Sequence, residues 1–501
     1  MSAPFRLYNT LSRRIEDFQP QKPGYISLYV CGMTVYDEAH VGHARAMVVF
    51  DMIARYLRYR SWDVYFARNF TDVDDKIIDR ANKLGEDPAA LAQRYIDAFH
   101  RDTQGLGLVA PNIEPRVTDS IPEIIAMIQV LIDRRHAYVQ GDSVWFAVDT
   151  YAHYGELSGQ NVDALRSADV GQKRSGADFA LWKGAKSGEP AWVSPWGPGR
   201  PGWHIECSAM VKASMGDTVD IHGGGLDLVF PHHENEVAQS ECANQTRPYA
   251  RYWMHNGLLT MASGQKMGKS LGNVVNIHLL LDQYPAEAIR MYYLQSHYRS
   301  PLPWTEEALP EALSMLARLY DAREAAEAME GDGTPDTLAK ELGADAAEVL
   351  SLGREFTAKF LGAMSEDFNT AQALGFAFEL ARAINRFSNV KAAKKRGGPV
   401  VAPALDAFKL LEAVGLMTLS TATFQDEVKA KRLAALGLAR AEVDALVNTR
   451  MEARSTRDWA KADALRLELD AKGIIVMDRP DGVDWRVRLD SAASNSSLSD
   501  R

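Results

Sequence analysis

The sequence is poor in cysteine, with Cys31, Cys207 and Cys242 the three occurrences among 501 residues. So few thiols argue against a disulfide scaffold and leave the cysteines as metal ligands or core residues. The chain also lacks any run of about 18 apolar residues, which argues against a membrane span or a membrane partner. Its first residues, MSAPFRLYNTLSRR, lack the apolar stretch of a secretory signal, so we expect a cytoplasmic protein.

The net charge and the composition further restrict the class of protein to which the sequence can belong. The formal net charge of −10 argues against indiscriminate nucleic-acid coating, although RNA binding needs only a local basic face. With 46% hydrophobic and 24% charged residues, the composition is that of a globular protein. A length of 501 residues is too great for one ordinary core and predicts about three domains.

A strand, a helix and a second strand are predicted in succession near the N-terminus. Residues 25–31 are β-rich and apolar, residues 42–60 carry apolar side chains at helical spacing, and residues 63–70 form another apolar run. This order indicates a βαβ unit in a parallel sheet. Strand-like segments return at 218–222 and 256–261.

The remaining segments differ in pattern. From about 118 to 215 the sequence is irregular, with aromatic and Gly/Pro-rich stretches, which predicts an insertion between the halves of a nucleotide-binding fold. After Pro303 the chain becomes Ala/Leu/Glu-rich and is predicted to be helical, with loops at 329–336 and 394–403. Residues 426–490 are predicted to be helical at first and strand-like at the end.

His40, Val41, Gly42 and His43 lie where the first predicted strand passes into the first predicted helix. A helix N-terminus offers unpaired backbone N–H groups and partial positive charge, which suits phosphate. Gly42 would let the backbone approach a ligand, and two imidazoles can donate hydrogen bonds to oxyanions. The motif predicts a nucleotide site, although by itself HxGH is a weak signal.

A second motif, KMGKS, lies far downstream and supplies Lys266 and Lys269 in a Gly-flanked loop. Two lysines on such a loop can neutralise charge that develops on a leaving pyrophosphate, which matters most in the transition state. In isolation KxxK is more often a solvated basic loop. Together the two motifs predict a protein that uses ATP to activate an acid.

A third group of residues offers metal ligands. Thiolate, imidazole and carboxylate groups are all accepted by zinc, and the candidates are Cys31, Cys207, His232, His233, Glu234 and Glu236. If residues 232–244 are helical, His232 and Glu236 share a face at i, i+4, while His233 and Glu236 are close at i, i+3. The spacing alone leaves both histidines open.

These motifs carry a family resemblance. HVGH followed much later by KMGKS resembles the two signatures of class I aminoacyl-tRNA synthetases, with Val41 and Gly268 as the departures from the usual HIGH and KMSKS. Five segments together resemble the cysteinyl-tRNA synthetases: CGMTVYDEAHVGH, NFTDVDDKI, GWHIECSAM, GGGLDLVFPHHENE and KMGKSLGN. The likeness extends from about residue 6 to 490.

The resemblance implies roles for individual residues. It places one zinc ion per chain, which binds the sulfur of the substrate, on Cys31, Cys207, His232 and Glu236. It places Thr71, Trp203 and Asp227 around the amino acid. It assigns both catalysis and ATP binding to His40, His43, Lys266 and Lys269, and ATP binding alone to Gly42. Cys242 matches no ligand position and is interpreted as a core thiol. Gly268 removes a hydroxyl from the lysine loop but leaves both lysines.

The resemblance also implies the reaction and its partners. L-cysteine and ATP, with Mg²⁺ to neutralise the phosphates, would form an adenylate, and the cysteinyl group would pass to the 3′ end of tRNA(Cys). Serine differs from cysteine by one atom, and zinc would distinguish them because it favours a thiolate over a hydroxyl. We expect a monomer.

The fold class implied is α/β, with a Rossmann-like parallel-sheet catalytic domain that carries an insertion, then a helical domain and a small C-terminal α+β module. The predicted segments are 1–117 and 216–305 for the two catalytic halves, 118–215 for the connective insertion, 306–425 for the helical tRNA-binding domain, 426–490 for the anticodon-binding module and 491–501 for a disordered tail.

RNA contacts are predicted in the C-terminal module. Residues 364–387 and 454–487 resemble the family's helical domain and its terminal module. Arg457, Trp459 and Asp463 are candidate contacts, because a Trp can stack on a base and an Asp can accept from base edges. The alternative interpretation of Trp459 is a core residue at helical spacing.

Three other functions compete with this interpretation. The cysteine ligase of mycothiol synthesis resembles the catalytic half but is shorter and lacks an anticodon-reading region. A non-catalytic RNA-binding paralogue would have no need of the two motifs or of the four metal positions. A generic HxGH nucleotidyltransferase accounts for neither KMGKS nor the zinc ligands.

Overall fold

The computed structural model describes residues 4–161, 165, 171, 173–261, 275–479 and 482–489. The first part of the chain contains four strands and three helices, which are β1 Arg6–Asn9, β2 Arg14–Asp17, β3 Tyr25–Val30, α1 Val41–Tyr59, β4 Asp63–Arg68, α2 Asp75–Leu84 and α3 Pro88–Gly105. The predicted strand, helix and strand are confirmed as β3, α1 and β4.

The middle of the chain follows, with the elements α4 Ile121–Asp133, β5 Ala137–Gln140, β6 Ser143–Phe146, β7 Phe179–Gly184, β8 Gly199–Pro201, α5 Trp203–Met215, β9 Val219–Gly225, α6 Glu234–Asn244, β10 Ala250–Asn256, β11 Leu259–Met261, α7 Ile277–Gln283, α8 Ala286–Leu294 and β12 Leu302–Trp304. Two further short turns separate β9 from α6, a 3₁₀ turn Leu226–Leu228 and a π turn Val229–His233.

A four-stranded parallel sheet in the order β10–β9–β3–β4 forms the centre of the part of the chain that precedes the long helices. Leu28 of β3 pairs with Phe66 of β4 on one side and with Ile221 of β9 on the other. Five of the six β3 residues are buried, as expected for a parallel strand covered on both faces. The carboxyl ends of these strands lie at one edge, where α/β folds place their ligands.

The stretch 118–215 is more regular than its sequence pattern predicted. Its described residues form two helices, α4 and α5, and an antiparallel sheet in the order β5–β6–β7–β8. The strands are three to six residues long. Such short strands show too few alternations for a period-2 pattern to be recognised, and this is why the segment was interpreted as irregular.

The helical part is formed by α9 Ala308–Glu327, α10 Pro335–Leu342, α11 Ala344–Ser365, α12 Thr370–Ser388, α13 Ala393–Arg396 and α14 Gly398–Lys409, followed by a 3₁₀ turn Leu410–Val414. The loop predicted at 394–403 is wrong, since α13 and α14 occupy it. Pro399 stands in the first turn of α14, where its missing N–H has no intrahelical partner to lose. The buried Val400 and Val401 pack that helix against the core.

The C-terminal module contains α15 Thr421–Ala435, α16 Arg440–Ser455 and α17 Trp459–Ala471, and then an antiparallel hairpin of β13 Ile474–Arg479 and β14 Gly482–Val487. The prediction of helices followed by strands is confirmed here. The module has a core of its own, built from Leu433, Val443, Val447, Leu469, Ile474, Trp485 and Val487. The tail predicted at 491–501 lies outside the described residues. Among the helices described, none is long and apolar enough to cross a membrane.

Candidate active site

The HVGH motif forms the N-cap and first turn of α1, where the chain from β3 enters the helix, as predicted. His40 is the N-cap of α1, and its Nδ1 accepts a hydrogen bond from the backbone N–H of Gly42 at 3.0 Å. The backbone N–H of His40 donates in turn to Nδ1 of His43 at 3.2 Å. The two rings stack with centroids 3.8 Å apart. The motif is therefore a capping box made of two imidazoles.

This box fixes the tautomer of both histidines. Because each Nδ1 accepts a hydrogen bond, each neutral ring carries its proton on Nε2. Gly42 has a further role that the sequence did not reveal. A Cβ at Gly42 would lie 2.8 Å from Cε1 of His40, so any side chain there would displace the His40 ring.

The lysine motif, with Lys266, Gly268 and Lys269, lies outside the described residues. The chain that follows it is described and contacts the HVGH turn directly. The N–H of Val41 donates to the carbonyl of Val275 at 2.9 Å, and the N–H of Ile277 donates to the carbonyl of Ala39 at 3.1 Å. The residues that follow the second motif are thus hydrogen-bonded to the first.

The predicted metal ligands converge although they are separated by up to 205 positions. Sγ of Cys31, just after β3, lies 3.6 Å from Sγ of Cys207, 3.5 Å from Nε2 of His232 and 3.3 Å from Oε1 of Glu236. Nε2 of His232 and Oε1 of Glu236 are 3.0 Å apart. Cys207, His232 and Glu236 are buried. Cys31, His232 and Glu236 belong, with His233, to a group that could hold a metal ion, and Cys207 adjoins this group through Cys31.

The structure brings both histidines of PHHENE close to Glu236, but in different ways. The donor atoms of Cys31, His232, His233 and Glu236 all lie within 4.8 Å of one another. His232 is the closer, whereas Nε2 of His233 is 3.9 Å from Glu236. His233 also places its Nδ1 2.7 Å from Nε2 of His255. These distances favour His232 as the ligand, and the i, i+4 spacing at the start of α6 explains why it reaches Glu236.

Burial and mutual contact shift the pKa values of the cluster. The hydrogen bond from Cys31 lowers the pKa of the Cys207 thiol to about 6 and favours its thiolate. Burial opposes ionisation of Glu236, but the neighbouring His222 and His232 outweigh it and hold the pKa of Glu236 well below its usual value. Burial lowers the pKa of His233 well below its usual range, so His233 is neutral. Burial raises the pKa of the Cys31 thiol, and although burial opposes protonation of His232, Glu236 and Cys207 outweigh it and raise the pKa of His232 to about 10. Cys31 and His232 therefore hold protons that a divalent cation would displace on binding.

Sequence reasoning missed the residues that orient Glu236. Its Oε2 lies 2.9 Å from Nε2 of His222 on β9 and accepts a hydrogen bond from the Tyr249 hydroxyl at 3.0 Å. These contacts leave Oε1 to face Cys31 and His232. Such outer partners fix the orientation of a metal-binding carboxylate. The strand prediction at 218–222 contained His222, but nothing in its spacing indicated this role.

Glu234, the remaining acidic candidate, does not join the cluster. Its carboxylate accepts the backbone N–H groups of Gly155 and Ser158 at 2.8 and 2.7 Å and so anchors a loop of the middle segment. Cys242 is buried and its pKa is raised by burial to about 12, consistent with a core thiol.

The three residues predicted around the amino acid lie at different distances from the cluster. Trp203 stacks on His232 with ring centroids 4.3 Å apart. Thr71 is buried and donates its hydroxyl to Oε2 of Glu206 at 3.2 Å, next to Cys207 in the chain. Asp227 is exposed in the 3₁₀ turn between β9 and the histidines. The structure thus stacks Trp203 on a histidine of the cluster, bonds Thr71 to the chain neighbour of Cys207, and places Asp227 on the turn that precedes the histidines in the chain.

The predicted RNA contacts are exposed together at the start of α17. Trp459 is 58% exposed, so the alternative of a core tryptophan is wrong. Arg457 and Asp463 are also exposed. A large aromatic ring held in solvent at a helix start is available for stacking.

Comparisons with known proteins agree with this arrangement. The model of the class I (C) tRNA synthetase catalytic domain matches residues 17–314, that of the DALR domain residues 359–409, and that of the cysteinyl-tRNA ligase anticodon-binding domain residues 431–486. The cysteine–tRNA ligase of Geobacter sulfurreducens is 47% identical over 490 residues, which cover 96% of this chain and 99% of that protein. The cysteine–tRNA ligase of Alkalilimnicola ehrlichii is 49% identical over 488 residues, with the same coverage.

Solved structures share the fold. A Mycobacterium tuberculosis methionyl-tRNA synthetase bound by methionyl-adenylate superposes with a TM-score of 0.61 at 17% identity, over 83% of this chain and 95% of that one. The Agrobacterium radiobacter leucyl-tRNA synthetase in a ternary complex gives a TM-score of 0.53 at 13% identity, over 81% of this chain and 87% of that one. The resemblance inferred from the motifs is confirmed, and the chain belongs to the cysteine–tRNA ligases of class I.

Proposed function

We propose that this chain joins L-cysteine to tRNA(Cys) in two steps that consume ATP, with the Cys31–Cys207–His232–Glu236 cluster selecting the amino acid. The single observation that carries the proposal is the convergence of the four side chains at Cys31, directly after the carboxyl end of β3, the strand whose chain leads into the HVGH turn. The near full-length likeness to cysteine–tRNA ligases supports it. We also propose that the protein is located in the cytoplasm, where ATP and tRNA are available.

The donor set fits zinc. A tetrahedral zinc ion with bonds of about 2.0–2.3 Å requires neighbouring donor atoms about 3.3–3.8 Å apart. Of the four separations given above, the three from Cys31 are 3.3 to 3.6 Å and lie in this range, whereas His232 and Glu236, at 3.0 Å, are slightly closer than it requires. Zinc bound here would accept the thiolate of cysteine as a further ligand and so favour cysteine over serine. Trp203, stacked on His232, and Thr71, held by Glu206, would enclose the rest of the amino acid.

In the first step the carboxylate of cysteine attacks the α-phosphate of ATP and pyrophosphate leaves. The Nε2–H groups of His40 and His43 are the donors for the phosphate oxygens, and the N-terminus of α1 adds its partial positive charge. Lys266 and Lys269 would neutralise the pyrophosphate, with Mg²⁺ on the nucleotide. These donors are arranged before the substrate binds, so they stabilise the transition state with little reorganisation.

In the second step the terminal adenosine hydroxyl of the tRNA attacks the carbonyl carbon of the adenylate, and AMP leaves. We propose that Arg457, Trp459 and Asp463 contact the RNA, because all three are exposed. The match to an anticodon-binding domain at 431–486 argues against the shorter cysteine ligase that joins cysteine to an amino sugar.

The division of the chain follows the same assignment. We propose catalytic halves at 1–117 and 216–305, a connective insertion at 118–215, a helical tRNA-binding domain at 306–425 and an anticodon-binding module at 426–490. The family matches at 17–314, 359–409 and 431–486 support this order.

ATP–pyrophosphate exchange across the amino acids, followed by charging of tRNA(Cys), tests the proposal. We expect exchange with cysteine and at most a trace with serine. Cys207→Ser should lose bound zinc, measured by atomic emission, together with cysteine-dependent exchange, while Cys242→Ser should retain both. Equal exchange with serine, or full exchange by a zinc-free Cys207→Ser protein, would refute the selection of cysteine by the metal.

A further inference from the structure

Two polar side chains join the HVGH turn to the segment that follows the lysine motif. Nδ2 of Asn276 donates to Oε2 of Glu38 at 2.7 Å. The same two segments are paired through their backbones, with His40 opposite Asn276 in an antiparallel bridge. The Glu38–Asn276 bond therefore fastens the turn immediately before His40 to a fixed point on the neighbouring segment.

A second contact holds the chain on the other side of the lysine motif. Arg45, in the first two turns of α1, is buried and donates to the carbonyls of Leu258 at 2.8 Å and Tyr298 at 3.4 Å, and also to that of Ser300. Leu258 directly precedes β11, the last described strand before the motif. The start of α1 is thus bonded to the described chain on both flanks of residues 262–274.

The position of His40 depends on this fastening. The His40 backbone donates to the His43 ring, and the His40 ring accepts from the Gly42 backbone, so the two imidazoles move as one unit with the turn. A small tilt of the turn displaces both Nε2–H groups from the phosphate oxygens. Misplacement by about 1 Å is enough to reduce a rate a hundredfold in well-oriented active sites.

We propose that Glu38 and Asn276 are positioning residues for His40 and His43 in the adenylation step. This inference rests on the proposed function. Neither side chain need touch ATP, because the bond acts through the backbone between residues 38 and 41. Two backbone hydrogen bonds, to Val275 and from Ile277, persist without it, so loss of the side-chain bond should loosen the turn and leave the fold intact.

Four variants test the proposal by steady-state pyrophosphate exchange: Glu38→Ala, Asn276→Ala, the double variant, and Glu38→Gln. We expect each alanine variant to lower kcat about five- to tenfold, with the KM for cysteine within twofold of the wild type. The double variant should be no slower than either single variant, because both changes remove the same bond. Glu38→Gln retains an acceptor oxygen and should stay within about twofold of the wild type.

A variant of His278 tests whether Asn276 is the partner of Glu38 that matters, since Nδ1 of His278 lies 3.4 Å from the same oxygen of Glu38. We expect His278→Gln to change kcat less than twofold. An exposed bond far from the site, from Ser351 to Glu355 at 2.7 Å, supplies the matched control, and Glu355→Ala should leave exchange unchanged.

The possible results distinguish a failure of this inference from a failure of the proposed function. Additive losses in the double variant, a Glu38→Gln variant as slow as Glu38→Ala, or an effect confined to the KM for cysteine would each overturn the positioning role. A fall in His278→Gln equal to that of Glu38→Ala would also overturn it, because the critical partner would not be Asn276. Absence of cysteine-dependent exchange in the wild type would instead defeat the proposed function.

Discussion

Replacing Gly42 by alanine should separate activity from stability in this protein. The added Cβ would lie 2.8 Å from Cε1 of His40, closer than real Cβ contacts come, and 3.0 Å from Nδ1 of the same ring. The backbone at the start of α1 is held by its hydrogen bonds with Val275 and Ile277, so the His40 ring must rotate instead. Its rotation breaks the bond from the Gly42 N–H and the stacking on His43.

The two energetic consequences for folding nearly cancel. Loss of the N-cap hydrogen bond destabilises the helix by about 1 kcal/mol. Alanine in place of glycine within a helix stabilises it by about 1 kcal/mol. We therefore expect the free energy of unfolding of Gly42→Ala to stay within about 1 kcal/mol of the wild type.

No opposing effect compensates for the loss of catalytic activity in this variant. Removing one preorganised donor to a developing oxyanion lowers kcat by about 10²–10³. Displacement of the His40 ring should therefore reduce kcat for cysteine-dependent pyrophosphate exchange at least about a hundredfold. The zinc content should be unchanged, because the HVGH turn supplies no ligand to the cluster.

Pyrophosphate exchange and urea unfolding, measured on the same preparations, provide the assay. Gly375→Ala is the matched control, because Gly375 lies inside α12 and a Cβ there meets nothing within 4 Å. That control should gain up to about 1 kcal/mol of stability and keep its activity. Wild-type kcat in Gly42→Ala, or a loss of activity that only accompanies unfolding, would refute the reasoning.

Three further predictions concern other parts of the molecule. Burial raises the pKa of the Asp102 carboxyl to about 6, above its value in the unfolded chain, so the free energy of unfolding should fall as pH rises from about 4 to 6. Asp102→Asn should remove this pH dependence and be about 1–2 kcal/mol more stable than the wild type at pH 7.5. Urea midpoints of the variant that follow those of the wild type at every pH would contradict this. Trp459→Ala should raise the KM for tRNA about tenfold without changing pyrophosphate exchange, because one stacked base contributes about 1–3 kcal/mol. Leu467→Ala, at a more exposed apolar side chain of the same helix, serves as the control, and an unchanged KM in Trp459→Ala would exclude stacking. Gly415→Ala would place a Cβ 2.1 Å from the guanidinium of Arg290, the group that donates a hydrogen bond to the Gly415 carbonyl at 2.8 Å. We expect this change to lower the thermal unfolding midpoint by several degrees. An unchanged midpoint would show that the structure can relax around this buried contact.

Much of the fold could be predicted because its signals are local. The β3–α1–β4 unit is recognisable from an apolar run, a helical period and another apolar run, each long enough to show its periodicity. The antiparallel sheet of the middle segment was missed because its strands are three to six residues long. The helices at 393–409 were missed because Gly397, Gly398 and two prolines resemble a loop, whereas Pro399 falls in a first turn that tolerates it.

The sequence by itself determined the family and the chemical types of the site residues, because motifs such as HVGH and PHHENE combine several demanding residue types at fixed spacing. Only the tertiary structure distinguished His232 from His233, since both spacings allow contact with Glu236. His255 of β10 lies against the His233 ring and His222 of β9 orients Glu236, and these long-range contacts accompany the separations of 3.9 and 3.0 Å. The tertiary structure also decided the roles of His222 and Tyr249, because hydrogen bonds between residues distant in the chain leave no periodic trace. Gly42 is a further example. The motif indicated that a glycine at this position matters, but only the folded structure showed that the His40 ring occupies the space a side chain would need.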